Sequence, residues 1–93
     1  MKIMTIMIGN SDNKLTQIDW TRFCRDITWI VENHGAGIRF SAPSIGWLAY
    51  QNACWVFEIR EEELEEVKSL VRIARKQYLQ DSVAIIVGET EFI

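Results

Sequence analysis

Two thiols, one imidazole and a run of carboxylates are the side chains in this sequence that covalent or acid–base chemistry would recruit. Cys24 and His34 lie ten positions apart in a segment with helical spacing. Their backbones therefore stand about 15 Å apart, and no nucleophile–base dyad can form between them. Neither Cys24 nor Cys54 has a histidine or a second thiol at ligand spacing, so no metal site is expected and both read as small packing residues. His34 falls in a last helical turn, where positive charge is favoured. Six carboxylates lie between Glu58 and Glu66, where they suit the dipole of a helix start. Acid–base work would need one of them in an apolar pocket with a raised pKa, which the sequence does not supply. The alternative use of such a run is an acidic surface that imitates nucleic acid or docks on a basic partner. Recognition rather than catalysis is the expected chemistry, with no enzyme activity, no cofactor and no metal.

Three polar segments are the candidates for that recognition: Gly9-Asn10-Ser11-Asp12-Asn13-Lys14, Ser41-Ala42-Pro43-Ser44-Ile45-Gly46 and Gln80-Asp81-Ser82. The first precedes a helix start, whose free N–H groups favour an anion, and Lys14 adds positive charge. Asp12 opposes a plain phosphate site, and the glycine spacing of a P-loop or dinucleotide motif is missing. A capped, solvated turn accounts for the same residues. Tyr50, Gln51 and Asn52 open a long apolar strand. Their amides either satisfy one another within the sheet or line a pocket with Trp47 as a stacking wall. The ligand-binding set expected on this basis is Asn10, Ser11, Asp12 and Lys14, with Trp47, Gln51, Asn52, Gln80 and Asp81 around the rim.

The elements that must position these residues follow from periodicity. Lys2 to Ile8 reads as a buried strand ended by Gly9. Thr16 is a helix N-cap with Asp19 in a variant capping box, and Trp20, Phe23, Ile27, Ile30 and Val31 form one apolar stripe up to Gly35. Gly37 to Ser41 alternates, with Ile38 and Phe40 on one side and Arg39 on the other. Leu48 to Ile59 is a longer strand whose Trp55 face belongs to the core. Glu61 to Leu79 is a second helix with Leu64, Val67, Val71, Ala74 and Tyr78 inward, and Ser82 to Val87 is the last strand. The order β-α-β-β-α-β is the split βαβ, or ferredoxin-like, motif of an α+β protein. Right-handed crossovers make it a four-stranded antiparallel sheet in the order 4-1-3-2, with two helices on one face. The three polar segments then gather at one end.

Ninety-three residues with a net charge of −3 form a single domain, 1–93. The acidic balance argues against a nonspecific nucleic-acid binder, and the first strand lacks the outward aromatics with which RNA-recognition modules stack bases. No stretch reaches the length of a membrane span and no leader is seen, so a cytoplasmic protein is expected. Ile3, Met7, Val56 and Ile86 make the helix-free sheet face unusually apolar, which predicts a homo-oligomer through that face or a strand edge.

The segments Gly9-Asn10-Ser11-Asp12-x-Lys14-Leu15-Thr16-Gln17, Gln51-Asn52-Ala53-Cys54-Trp55, Gln80-Asp81-Ser82 and Thr90-Glu91-Phe92 give the chain a further likeness. Over nearly its whole length it resembles a family of small uncharacterised bacterial and phage proteins. The family brings no activity. A phage setting implies a protein that binds a host protein or sequesters a host signalling nucleotide. The reading that results is a non-enzymatic protein binding a small polar or anionic ligand, a signalling nucleotide included, at its loop-rich end. Its rival is a protein-interaction module, such as a phage-encoded inhibitor of a host defence complex.

Overall fold

The computed structural model describes residues 1–10, 14–44 and 50–93, with the backbone alone at Ile38 and Arg39. Apolar residues at every second position of β1 (Lys2–Gly9) place Met4, Ile6 and Ile8 on one face, all buried. The helical stripe of α1 (Gln17–His34) buries the five residues expected of it, Trp20, Phe23, Ile27, Ile30 and Val31. Its start is held by Thr16, whose hydroxyl accepts the Asp19 N–H at 3.2 Å. There follow β2 (Gly37–Pro43), β3 (Asn52–Ile59), a single 3-10 turn at Glu61–Glu63, α2 (Leu64–Gln77) and β4 (Ala84–Gly88).

The sheet has the order β2-β3-β1-β4, the expected order read from its other edge, and every neighbouring pair is antiparallel. Both helices cover the Trp55 face. Trp55, Phe57 and Ile59 of β3 join Met4, Ile6 and Ile8 in one core with the stripes of α1 and α2. The buried Trp55 indole donates to the Thr28 hydroxyl of α1 at 3.1 Å, so this large core side chain keeps a polar partner. Phe23 and Tyr78 stack at 4.8 Å and tie the two helices together.

Three expectations are corrected. The long strand begins at Asn52, after a bend at Tyr50, while Leu48, its expected start, lies outside the described residues. The second helix proper begins at Leu64, because the acidic residues Glu61–Glu63 form a tighter 3-10 turn first. Phe40 does not share the face of Ile38. The ladder pairs Ile38 with Phe57 but Phe40 with Val56, so Arg39 is an extra bulge residue that turns Phe40 to the open face. There it is 54% exposed. Among the described residues no helix is long and apolar enough to cross a membrane.

Candidate functional site

The loop-rich end is built around a buried amide. Asn10 is 2% exposed. Its side chain spans the first loop, accepting the Leu15 N–H at 3.1 Å and donating to the Leu15 carbonyl at 3.1 Å. It also approaches the Gln51 side-chain oxygen at 3.4 Å, while its backbone N–H donates to the Gln51 carbonyl at 2.8 Å. Gln51 in turn exchanges amide bonds with Gln17 at the start of α1, at 3.0 and 2.9 Å. Asn10 and Gln51 therefore clamp the loop to the sheet and to α1, and their polar atoms are spent inside the protein. Gly9 belongs to the same packing: a Cβ there would stand 2.7 Å from the Asn52 side-chain oxygen.

The turn after α2 is fixed from the other side. Leu79 has φ 55, the one positive value on a non-glycine among the described residues. Together with the Gln80 N–H bonded to the Arg75 carbonyl at 3.0 Å, it forms a left-handed helix stop of a kind glycine usually provides. The Arg75 guanidinium then donates to the carbonyls of Gln80 at 3.1 Å and Asp81 at 3.3 Å. The Gln80 amide donates back to the Tyr78 carbonyl at 3.0 Å. Asp81 is left with its carboxylate exposed on a held backbone.

Between these two supports lies a depression of about 400 Å³ lined by Gly9, Tyr50, Asn52, Gln80, Asp81 and Ser82, with Met7, Ile8 and Ala84 at its base. Asn52, Gln80 and Asp81 are thus brought together from β3 and the last turn. Lys14 is not in this depression. It lines a separate hollow of about 260 Å³ with Leu15, Asp19, Arg22, Gln77, Tyr78 and Leu79, on the helix side. Ser11, Asp12 and Trp47 lie outside the described residues. The depression offers amides, hydroxyls and one carboxylate, a set suited to reading a polar ligand.

Sequence reasoning missed a second feature beside it. Lys68, Arg72 and Arg75 recur along one side of α2 and flank a groove of about 570 Å³ floored by Val71, Val83, Ile85 and Val87, with Asp81 and Ser82 at its end. The signal was present as an i, i+4, i+7 spacing of cations on one side of the helix.

Elsewhere several titratable groups are held by burial or by structural partners. The Tyr78 hydroxyl donates to Asp26 at 2.5 Å, and burial, reinforced by that carboxylate, pushes the phenol up to about 12. Burial pushes the Cys24 thiol up to about 11, the direction of an unreactive core thiol. At the far end His34 meets Glu63 at 3.1 Å, and Lys2 meets Glu89 at 2.7 Å. Lys2 is raised and Glu89 lowered, each chiefly by its bond to the other. No group of three or more metal-binding side chains occurs among the described residues.

No family model matches the chain, and no curated protein matches it. Among solved structures it is similar to a dimeric ferredoxin-like protein of unknown function from Thermobifida fusca YX. That match has a TM-score of 0.64 at 11% identity and covers 97% of this chain and 92% of that one. It is also similar to CutA1 from Pyrococcus horikoshii, with a TM-score of 0.53 at 15% identity, over 100% of this chain and 86% of that one. At these identities the likeness establishes the fold: this is a ferredoxin-like α+β protein.

Proposed function

We propose that the chain is a non-enzymatic recognition protein that takes a small polar or anionic ligand, a signalling nucleotide among the candidates, at its loop-rich end. The observation that carries this reading is the depression into which Gly9, Tyr50, Asn52, Gln80, Asp81 and Ser82 converge from three separate segments. Asn52, Gln80 and Asp81 supply hydrogen bonds, and the exposed Tyr50 ring supplies a stacking surface. Asn10 and Gln51 hold the rim in place, and Ser11, Asp12 and Trp47 are candidates from the sequence alone. The protein acts as a homo-oligomer through its open sheet face, which presents Phe40, Met7 and Ile86 to solvent. The dimeric state of the Thermobifida protein of the same fold is in keeping with that.

A thermal-shift screen of nucleotides and small anions against the full chain tests the ligand, because a molecule bound only by the folded state raises its melting temperature. For a hit, Asp81→Ala or Asn52→Ala is expected to weaken binding about tenfold, the worth of one charge-assisted hydrogen bond. Glu65→Gln, on the acidic face of α2, leaves it unchanged. A panel with no hit, or a hit indifferent to both substitutions, overturns the reading. The second reading, a protein-interaction module such as an inhibitor of a host defence complex, is favoured by the exposed carboxylates Glu61, Glu62, Glu65 and Glu66. It wins if substitutions there abolish a protein contact while small-ligand binding is absent.

A further inference from the structure

β4 is an edge strand, and nothing in its sequence protects it. Ala84, Ile85, Ile86, Val87 and Gly88 carry no charge, proline or bulge, the usual devices that keep an edge from pairing. Its helix side is also incompletely covered. Val87 pairs with the fully buried Met4, yet is itself 39% exposed. The groove beside it runs from Ser82 to Val87, a length that fits an extended chain, and is walled by Lys68, Arg72 and Arg75. Arg72 has no ion pair among the described residues. An unpaired strand edge, an apolar floor and a cationic wall together specify an acidic, extended segment as the occupant.

The chain carries such a segment in Glu89-Thr90-Glu91-Phe92-Ile93. It leaves β4 in the strand direction. The register that pairs Ile3 with Gly88 would set Lys2 opposite Glu89, and the Lys2–Glu89 bond at 2.7 Å spans those two residues. Ile85, Val87 and Glu89 thus share the helix side, and strand alternation carries Glu91 to the same side. Phe92 is 83% exposed.

We propose that residues 89–93 of one copy add as a strand to the β4 edge of a second copy, and reciprocally, so that two sheets join edge to edge about a two-fold axis at Gly88. Residues directly opposite in an antiparallel pair share a face. Centring on Gly88 therefore sets Glu89 opposite the partner's Val87 and Glu91 opposite the partner's Ile85, along the groove floor and beneath Arg72 and Lys68. Phe92 then lies over the partner's Ala84, on the open face. Gly88 has open space where its Cβ would stand, so the axis is free of obstruction. This contact is separate from the open-face contact proposed above. Two different two-fold contacts on one chain join four copies.

The test uses the full chain. Gly88→Cys places two thiols directly opposite each other at a spacing a disulfide accepts, and mild oxidation is expected to give a covalent dimer that the unsubstituted chain does not give. Light scattering and native mass are expected to show that Arg72→Glu, which acts twice in a two-fold contact, weakens edge association about tenfold. Glu91→Arg does the same, and the two substitutions together restore it. Phe40→Lys on the open face leaves the Gly88→Cys cross-link intact, which separates failure of this contact from failure of the open-face contact. The inference is overturned if Gly88→Cys gives no cross-link in a chain that associates, if the charge-swapped pair fails to restore association, or if only a monomer is found at every concentration. Capture of a different acidic protein at this groove by a chain that does not self-associate also overturns it.

Discussion

The two faces of this one sheet are both apolar, yet only one is a core. On β1 the helix side holds Met4, Ile6 and Ile8, at 0%, 0% and 3% exposure, while the other side holds Ile3, Thr5 and Met7. On β3 the same split sets Trp55, Phe57 and Ile59 against Cys54, Val56 and Glu58. Hydrophobicity alone does not choose between them. What chooses is where the two amphipathic helices can dock. Right-handed crossovers place both helices on one face, and the large side chains collect there. The covered side also places its polar groups: among the described residues no buried side-chain nitrogen or oxygen lacks a hydrogen-bond partner. Among the described residues no protein layer lies above the side chains of the open side, and this is why association and recognition are expected on it and at its ends.

Neighbouring residues of β3 sharpen that contrast most. Phe57→Ala empties a fully buried site and is expected to cost about 3–5 kcal/mol in urea denaturation of the monomer. Val56→Ala, one residue along on the open face, is expected to cost under about 1.5 kcal/mol. Equal losses would break the distinction between the faces.

Asn10→Ala removes both side-chain bonds to the Leu15 backbone and leaves those buried groups unpaired. The expected cost is about 2 kcal/mol, with looser packing of the first loop visible as faster amide exchange at Leu15. A neutral result would show that water replaces the clamp.

Tyr78→Phe tests the polar tip of the covered side and is expected to cost about 1–2 kcal/mol at neutral pH through the lost bond to Asp26. Because the folded phenol sits at about 12, above its ordinary 10.0, the folded state holds this proton more tightly than the unfolded state. The stabilisation is full below pH 10 and is lost as pH rises from about 10 to 12. Cys24, held at about 11, acts in the same direction from a lower start. The Tyr78→Phe chain is therefore expected to lose less stability between pH 10 and 12 than the unsubstituted chain, as followed by circular dichroism.

The smallest effect expected is at Leu79. Its backbone holds a left-handed conformation while its side chain is 76% exposed. Leu79→Gly is expected to raise stability by about 0.5 kcal/mol, the relief of strain exceeding the added chain entropy. A clear loss would mean that the leucine side chain, and not the turn, supports the recognition end.

The number, order and type of the elements were legible in the sequence because each signal is local. Thr16 and Gly35 bound the first helix, period-two alternation marks β1 and β3, and the α2 stripe ends at Tyr78. The Trp55 face could be assigned from side-chain size alone. Phe40 could not be placed, because one bulge residue at Arg39 reverses every side chain beyond it, and a bulge depends on the partner strand's register rather than on its own residues.

The candidate site divides the same way. That Gly9, Asn52 and Gln80 meet at one end follows from topology, which the element order dictates. Which side chains face the ligand does not. Asn10 and Gln51 carry the same amide as Asn52 and Gln80, but the first two are drawn inward by unpaired backbone groups of Leu15 and by Gln17, partners many residues away or created only by the loop's closure. Lys68, Arg72 and Arg75 are plain in the sequence as a charged helix stripe. That the stripe overlooks an uncovered strand edge was decided only when α2 packed beside β4 and left Val87 half open. Local periodicity sets which elements form, whereas the partner of each polar group is set by distances that exist only after the chain has closed on itself.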